Sequence, residues 1–121
     1  MRSPATVSLL PLLAALCLQA GDPHAQGPPI QAGQAYTKAR RSLLAAGWRN
    51  VPRKDPRQCS GELPDRRCSL YPELASCSHT GLGLCRFQWR APDRRSYAVI
   101  TRDGNPSGDP GVVSQWFEAP P

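Results

Sequence analysis

Several residue types that mark common enzyme sites are scarce or missing in this sequence. The 121-residue chain has only two histidines, His24 and His79, and no serine lies in a Gly-x-Ser-x-Gly elbow. It has no Cys-x-x-Cys pair, and Cys77 is the only cysteine close to a histidine, so a thioredoxin-like redox centre or a zinc site is not expected. We therefore expect a protein that is not an enzyme and that uses no cofactor and no metal ion.

The sequence also lacks an apolar run long enough to cross a bilayer. Its main apolar stretch, Val7 to Ala20, has the length of a signal-peptide core and follows a positive charge at Arg2. The small residues Ala20 and Ala25 are the two candidate cleavage positions. We expect residues 1–25 to be a signal peptide, and the mature chain to be a periplasmic or secreted bacterial protein without a transmembrane segment.

Cys17 lies inside the apolar stretch and raises the question of a lipid anchor. A lipobox carries Gly, Ala or Ser directly before its cysteine, whereas Leu16 stands there in this chain. Cys17 is therefore expected to leave with the signal peptide, although the sequence leaves lipidation at this position open.

Removal of the leader changes the cysteine count from odd to even. Four cysteines in an oxidising compartment predict two disulfides, and three connectivities are possible. We favour the pairs that close short loops rich in Gly, Pro, Ser and charge, and each would stabilise the fold by about 2.5 to 3 kcal/mol by restricting the unfolded chain. The favoured pairs are Cys59 with Cys68 and Cys77 with Cys85.

Large aliphatic residues are few, whereas positive charge is plentiful. The expected mature chain has fifteen Leu, Ile, Val and Phe residues, which leaves room for one modest core. The formal net charge is +6, and most of the basic residues are arginine. Such a surface can attract an acidic protein or an anionic glycan, but no run of five like charges occurs, so the charges could also be scattered over a solvated surface. Nucleic acid is not expected as a partner of an exported chain.

The stretch from Cys85 to Trp89 carries the strongest strand signal, because its apolar side chains fall at every second position. A glycine-rich turn precedes it, in which Gly81 and Gly83 permit positive φ angles between the cysteines. The two faces of the predicted strand carry Cys85, Phe87 and Trp89 on one side and Arg86, Gln88 and Arg90 on the other.

One helix is predicted from Tyr36 to Ala46, where apolar residues recur at helical spacing. Gly47 follows at the position where a left-handed residue ends a helix, and Trp48 could then pack on Leu43. The chain would continue directly into a short strand.

The other elements are read from their composition and turn residues. We expect Pro52 to Leu70 to be a loop held only by its cysteines, and Tyr71 to Cys77 to make a single helical turn after Pro72. Ser96 to Thr101, apolar on both faces, is predicted to be a central strand, and Val112 to Phe117 an edge strand.

Together these elements predict an α+β fold in which one amphipathic helix packs on an antiparallel sheet of three or four strands, with two disulfides. Residues 26–34 would form a flexible arm, 35–118 a single domain and 119–121 a tail.

Arginine and aromatic residues in the second half of the chain suggest a binding surface, because these residue types dominate binding energy at interfaces. The candidate binding residues are Arg86, Trp89, Arg90, Arg94, Arg95 and Trp116.

A calcium loop at Asp103 to Asp109 is a weaker possibility, since a bidentate Glu is missing from its twelfth position and Pro106 interrupts it.

The spacing of several residues resembles a group of small, uncharacterised secreted bacterial proteins. These are the helix pattern that runs from Tyr36 to Gly47-Trp48, then Pro72-Glu73 and the segment from Cys77 to Trp89. The step from helix to strand through Gly-Trp is also distantly similar to PASTA and beta-lactamase-inhibitor-protein modules, which implies binding rather than catalysis. The resemblance supplies no binding residues for this chain.

The leading hypothesis is thus an exported binding module that binds or inhibits another envelope protein, or binds an anionic glycan. A small hydrolase that uses His79 is one alternative, and a passive structural or stress-related envelope protein is another.

Overall fold

The computed structural model describes residues 27–55, 57, 59 and 64–121 of the chain. The predicted signal peptide, its cleavage positions and Cys17 lie outside these residues. The described part contains two helices and one mostly antiparallel sheet of five strands. Within it, no helix has the length and apolar character needed to span a membrane. In chain order the elements are α1 (Tyr36–Ala45), β1 (Arg49–Asn50), α2 (Arg66–Leu70), β2 (Leu74–Cys77), β3 (Cys85–Arg90), β4 (Ser96–Arg102) and β5 (Val112–Glu118).

The sheet is built around β3 and β4, and β5 forms one edge. On the other side of β3, β1 pairs with its second half and β2 with its first half. The prediction of three or four strands is therefore wrong by at least one strand. The additional strand is β2, where we expected a helical turn. A hydrogen-bonded turn from Tyr71 to Leu74 is present, but the chain then extends because Leu74 pairs with Phe87 and Cys77 with Cys85.

The first helix ends as predicted. Gly47 has a φ of 87°, and its N–H donates to Leu44 O at 3.1 Å while the N–H of Trp48 donates to Leu43 O at 3.0 Å. These two bonds form a Schellman motif, in which only a residue with positive φ fits the position of Gly47. On its inward side α1 buries Tyr36, Ala39 and Leu43.

The core lies between α1 and one face of the sheet, which we call the inner face. Tyr36 stacks on Phe87 with ring centroids 3.8 Å apart, and Tyr71 meets both rings edge-on. Such aromatic pairs add stability beyond the area that they bury. Trp89 and Val99 complete the centre of this face and are fully buried.

Residues 27–34, predicted as a flexible arm, lie against the sheet instead. Ile30 is buried, and Gly33 N–H donates to Val113 O while Val113 N–H donates to Gln34 O. Burial of Ile30 offsets part of the conformational entropy that the segment loses when it is ordered, and the fixed φ angles of Pro28 and Pro29 make that loss smaller. The segment therefore shields the start of the β5 edge.

Both favoured disulfides are confirmed: Cys59 is bonded to Cys68 and Cys77 to Cys85. The segment from Pro52 to Leu70 is not held by its cysteines alone, however. It contains α2, and the guanidinium of Arg53 donates to the backbone oxygens of Cys68, Tyr71 and Leu74 at 2.8, 3.0 and 2.7 Å.

Candidate functional site

The sheet face opposite the core, which we call the outer face, collects positive charge. Side chains alternate between faces along a strand and directly paired residues share a face, so the residues that alternate with the inward ones lie on the outer face. In the register, Arg86 lies opposite Ile100, and Arg90 lies between Arg49 and Ser96. Arg102 shares this face at the end of β4. No strand position of the outer face carries an acidic residue, although Asp103 in the turn after β4 pairs with Arg102.

A shallow groove of about 450 Å³ opens on the same face. Two of its lining residues, Leu84 and Phe117, are large hydrophobic residues that remain about 40% exposed. Exposed apolar surface next to arginine is typical of the residues that anchor protein interfaces. The groove residues are Ser76, Cys77, Ser78, Leu84, Cys85, Arg86, Ile100, Gln115 and Phe117.

Arg86 belongs both to the group of outer-face arginines and to the lining of the apolar groove. Its guanidinium carbon lies 5.7 Å from the centre of the Phe117 ring, within the range of a cation–π contact. With the Gln88 amide turned so that its oxygen faces Arg86, Nε lies 2.6 Å from that oxygen. Two neighbours therefore orient the guanidinium along the outer face.

The six predicted binding residues do not form one surface. Trp89 is fully buried on the inner face, where its Nε1–H donates to the Tyr36 hydroxyl at 3.0 Å. Trp116 pairs with the buried Val99, which places it on the inner side and partly in the core. Including Trp89 was therefore wrong, because it is part of the hydrophobic core, whereas Trp116 is only partly buried and lies on the side opposite the outer-face arginines.

The four arginines among the predicted binding residues are accessible to solvent, but they lie in two separate parts of the molecule. Arg86 and Arg90 share the outer face, whereas Arg94 and Arg95 lie in the turn between β3 and β4. Arg94 adopts a φ of 75°, and Arg95 Nε lies 3.5 Å from Asp93 Oδ2. The sequence signal that could have identified Ile100 and Phe117 is their alternation, along β4 and β5, with the inward residues Val99 and Trp116. Leu84 lies directly before β3 and gave no such signal.

A buried polar network, which the sequence did not predict, lies beneath the inner face. Glu73 is fully buried and accepts hydrogen bonds from Arg40, from the Tyr36 hydroxyl and from the Asn50 amide. Burial, with a further contribution from the charge of Glu73, raises the pKa of Tyr36 well above its ordinary value. Its donors come from α1 and β1, so this network orders the core rather than presenting a reactive group.

A second charged cluster lies beside the glycine-rich turn. Asp65 caps α2 and forms two side-chain bonds with Arg67, at 2.9 and 2.7 Å, while His79 Nε2 lies 3.5 Å from the same carboxylate. The hydrogen bond from Arg67 outweighs burial and lowers the pKa of Asp65. A cavity of about 540 Å³ adjoins Arg67 and His79.

The segment from Asp103 to Asp109 uses its polar side chains to close turns. Asn105 Oδ1 accepts from Ser107 N–H at 3.0 Å, and Asp109 Oδ1 accepts from Gly111 N–H at 2.9 Å. These are local caps of the type that Asx side chains provide. Among residues 27–55, 57, 59 and 64–121, no group of three or more His, Cys, Asp or Glu residues could hold a metal ion.

The chain matches no protein-family model, no curated protein and no solved structure.

Proposed function

We propose that this protein is a small exported binding module whose outer face docks onto an acidic patch of another envelope protein. The observation that carries the proposal is the composition of that face: Arg86 borders an exposed apolar groove, Arg90 and Arg49 lie further along the same face, and none of the strand residues on this face is acidic. Two disulfides support export, since such bonds persist in oxidising compartments. The proposed compartment is the bacterial periplasm or the extracellular space.

A protein partner fits this face better than an anionic glycan does. A glycan would use the arginines and leave the exposed parts of Leu84 and Phe117 in water. A protein can fill the groove with an apolar side chain while its carboxylates pair with Arg86, Arg90 and Arg49. Inhibition of that partner would follow if the groove received a residue near the partner's active site.

Capture from envelope extract with two matched variants tests the proposal. The outer-face variant combines Arg86→Ala with Phe117→Ser. The control combines Arg41→Ala with Leu44→Ser on the exposed side of α1, because Leu44 and Phe117 are similarly exposed, at 46% and 40%. We expect the wild type and the control to retain one protein at high salt, and the outer-face variant to lose it while keeping the wild-type circular dichroism spectrum. Equal capture by all three proteins would exclude this face as the docking site.

A hydrolase based on His79 is less well supported by the geometry. The hydrogen bonds of the neighbouring Ser78 hydroxyl join it to Thr80, not to His79. The carboxylate that approaches His79 is already bonded twice to Arg67. If a hydrolytic activity were found, a fully active His79→Ala variant would exclude this role. If the wild-type protein captures no partner from envelope extract, the result favours a passive structural role.

A further inference from the structure

The disulfide between Cys77 and Cys85 has two sulfurs in very different surroundings. Cys85 is 1% exposed, and its sulfur accepts a hydrogen bond from Arg67 Nη1 at 3.2 Å. Cys77 is partly exposed, and it is the more exposed of the two cysteines, both of which border the outer-face groove. Cys77 is therefore the end of the disulfide that is more open to an attacking thiolate. The Cys85 sulfur, which would leave, accepts from the guanidinium of Arg67, whose other nitrogens are bonded to Asp65.

We propose that Cys77 is a site of thiol–disulfide exchange, with Cys85 as the leaving sulfur. An incoming thiolate attacks Cys77 Sγ and forms a new S–S bond while the Cys77–Cys85 bond breaks. The bonding electron pair stays on Cys85 Sγ, and Arg67 stabilises this negative charge. The incoming thiol is oxidised to a mixed disulfide as Cys85 is reduced to a thiolate, so the step is balanced.

The surrounding structure allows this exchange without unfolding. The residue directly before β2 stays bonded to β3, because Gln88 N–H donates to Glu73 O at 2.9 Å, and Arg53 still donates to Leu74 O at the start of β2. What the disulfide closes is the glycine-rich turn of residues 78–84. Opening the bond therefore removes the covalent closure of this turn, at one wall of the groove, and leaves the turn held by backbone bonds such as Ser78 N–H to Leu84 O and Asp103 N–H to Leu82 O.

The second disulfide is a control within the same molecule. Cys59 is also buried and Cys68 is partly exposed, so the two bonds are similarly accessible. Among the described residues, however, no arginine N–H is bonded to the sulfur of Cys59 or Cys68. Contact with Arg67 is thus the chemical difference between the two bonds.

The test exposes the oxidised mature protein to reduced glutathione, quenches with acid, alkylates free thiols and maps the peptides by mass spectrometry. We expect the glutathione adduct on Cys77 and a free thiol on Cys85, with this bond reacting about tenfold faster than Cys59–Cys68. An adduct on Cys85, or equal reaction of both disulfides, would overturn the proposal. This readout needs no variant and no docking partner, so it is independent of the proposed function.

Two variants then assign the effect to Arg67. Arg67→Met should slow the exchange about tenfold, whereas Arg86→Met removes a groove arginine that does not touch the sulfur and should leave the rate within about threefold of wild type. If Arg67→Met does not fold, Arg67→Lys retains a cation and should react at an intermediate rate. A wild-type rate in the folded Arg67 variant would contradict the assignment.

Discussion

Arg40 and Glu73 are separated by 33 residues and form an ion pair with three hydrogen bonds: Arg40 Nε lies 2.9 Å from Oε2 and 3.3 Å from Oε1, and Nη2 lies 3.2 Å from Oε1. The carboxylate is fully buried, whereas the Arg40 side chain is 27% exposed. Because Tyr36 and Asn50 bond the same carboxylate, Glu73 joins α1, β1 and the start of β2. This junction therefore ties the helix to the sheet at the inner face.

Replacement of Glu73 should therefore destabilise the whole fold. In Glu73→Gln the carboxylate charge is lost and Arg40 is left without its counter-ion. We expect the free energy of unfolding to fall by about 2 to 3 kcal/mol, less than for a fully buried pair, since Arg40 can turn toward water. Urea denaturation measures this change.

Glu118→Gln is the control for that measurement. Glu118 is exposed and lies 3.9 Å from Arg95, so its loss should cost less than about 0.5 kcal/mol. If both substitutions had the same small effect, the Glu73 network would not be a stabilising junction.

Arg53 should be the residue that orders the segment before β2. Its planar guanidinium reaches Tyr71 O and Leu74 O from Nη1 and Cys68 O from Nη2, whereas a lysine would have to bond all three oxygens from one nitrogen. Arg53→Lys is expected to lower the free energy of unfolding by about 2 kcal/mol. Hydrogen exchange should also become faster at the amide of Leu74, which donates to Tyr71 O.

The neighbouring Lys54 supplies the comparison for Arg53. Lys54 is exposed, so Lys54→Ala should leave both the unfolding free energy and the exchange rates unchanged within error. Unchanged exchange at Leu74 in Arg53→Lys would refute the role given to Arg53.

Stability should depend on acid pH through Asp65. Its hydrogen bonds with Arg67 lower its pKa in the folded state, so unfolded chains bind a proton more readily than folded ones. This contribution is complete above the ordinary aspartate pKa of about 3.9 and is lost as the pH falls through the lower folded value. His79, near the same carboxylate, also favours its charged form.

Urea unfolding between about pH 6 and pH 3 tests this linkage. We expect Asp65→Asn to be less stable than wild type at the higher pH and to lose less stability on acidification. Asp55→Asn, which alters a more exposed aspartate paired with Arg57 at 3.7 Å, should follow the wild-type profile. An identical profile for Asp65→Asn would show that this carboxylate is not linked to folding.

Local patterns predicted the parts of the fold that depend on neighbouring residues. The two-residue period of β3 placed its side chains on the right faces, and Gly47 marked the end of α1. Both disulfides close short loops, and loop length was the basis of the prediction.

What the sequence did not reveal depends on contacts between distant residues. β2 has only four residues, and its extension is set by pairing with β3 rather than by its own pattern. Glu73 gave no signal because its partners lie 23 to 37 residues away. The two-residue period of β3 predicts that Trp89 faces the core on the same side as Phe87. Assigning Trp89 to a surface patch therefore conflicted with this period.

Photo-crosslinking from the outer face tests the docking proposal most directly. A benzophenone amino acid replaces Gln115, which is exposed and lines the groove, and a second protein carries it at Leu44 on α1. Both are expressed in cells that export the chain, and the adducts are identified by mass spectrometry. We predict a single protein adduct from position 115 that is absent from position 44 and disappears when Arg86→Ala is added. No adduct at position 115, or the same adduct from both positions, would contradict the claim that the outer face is the binding surface.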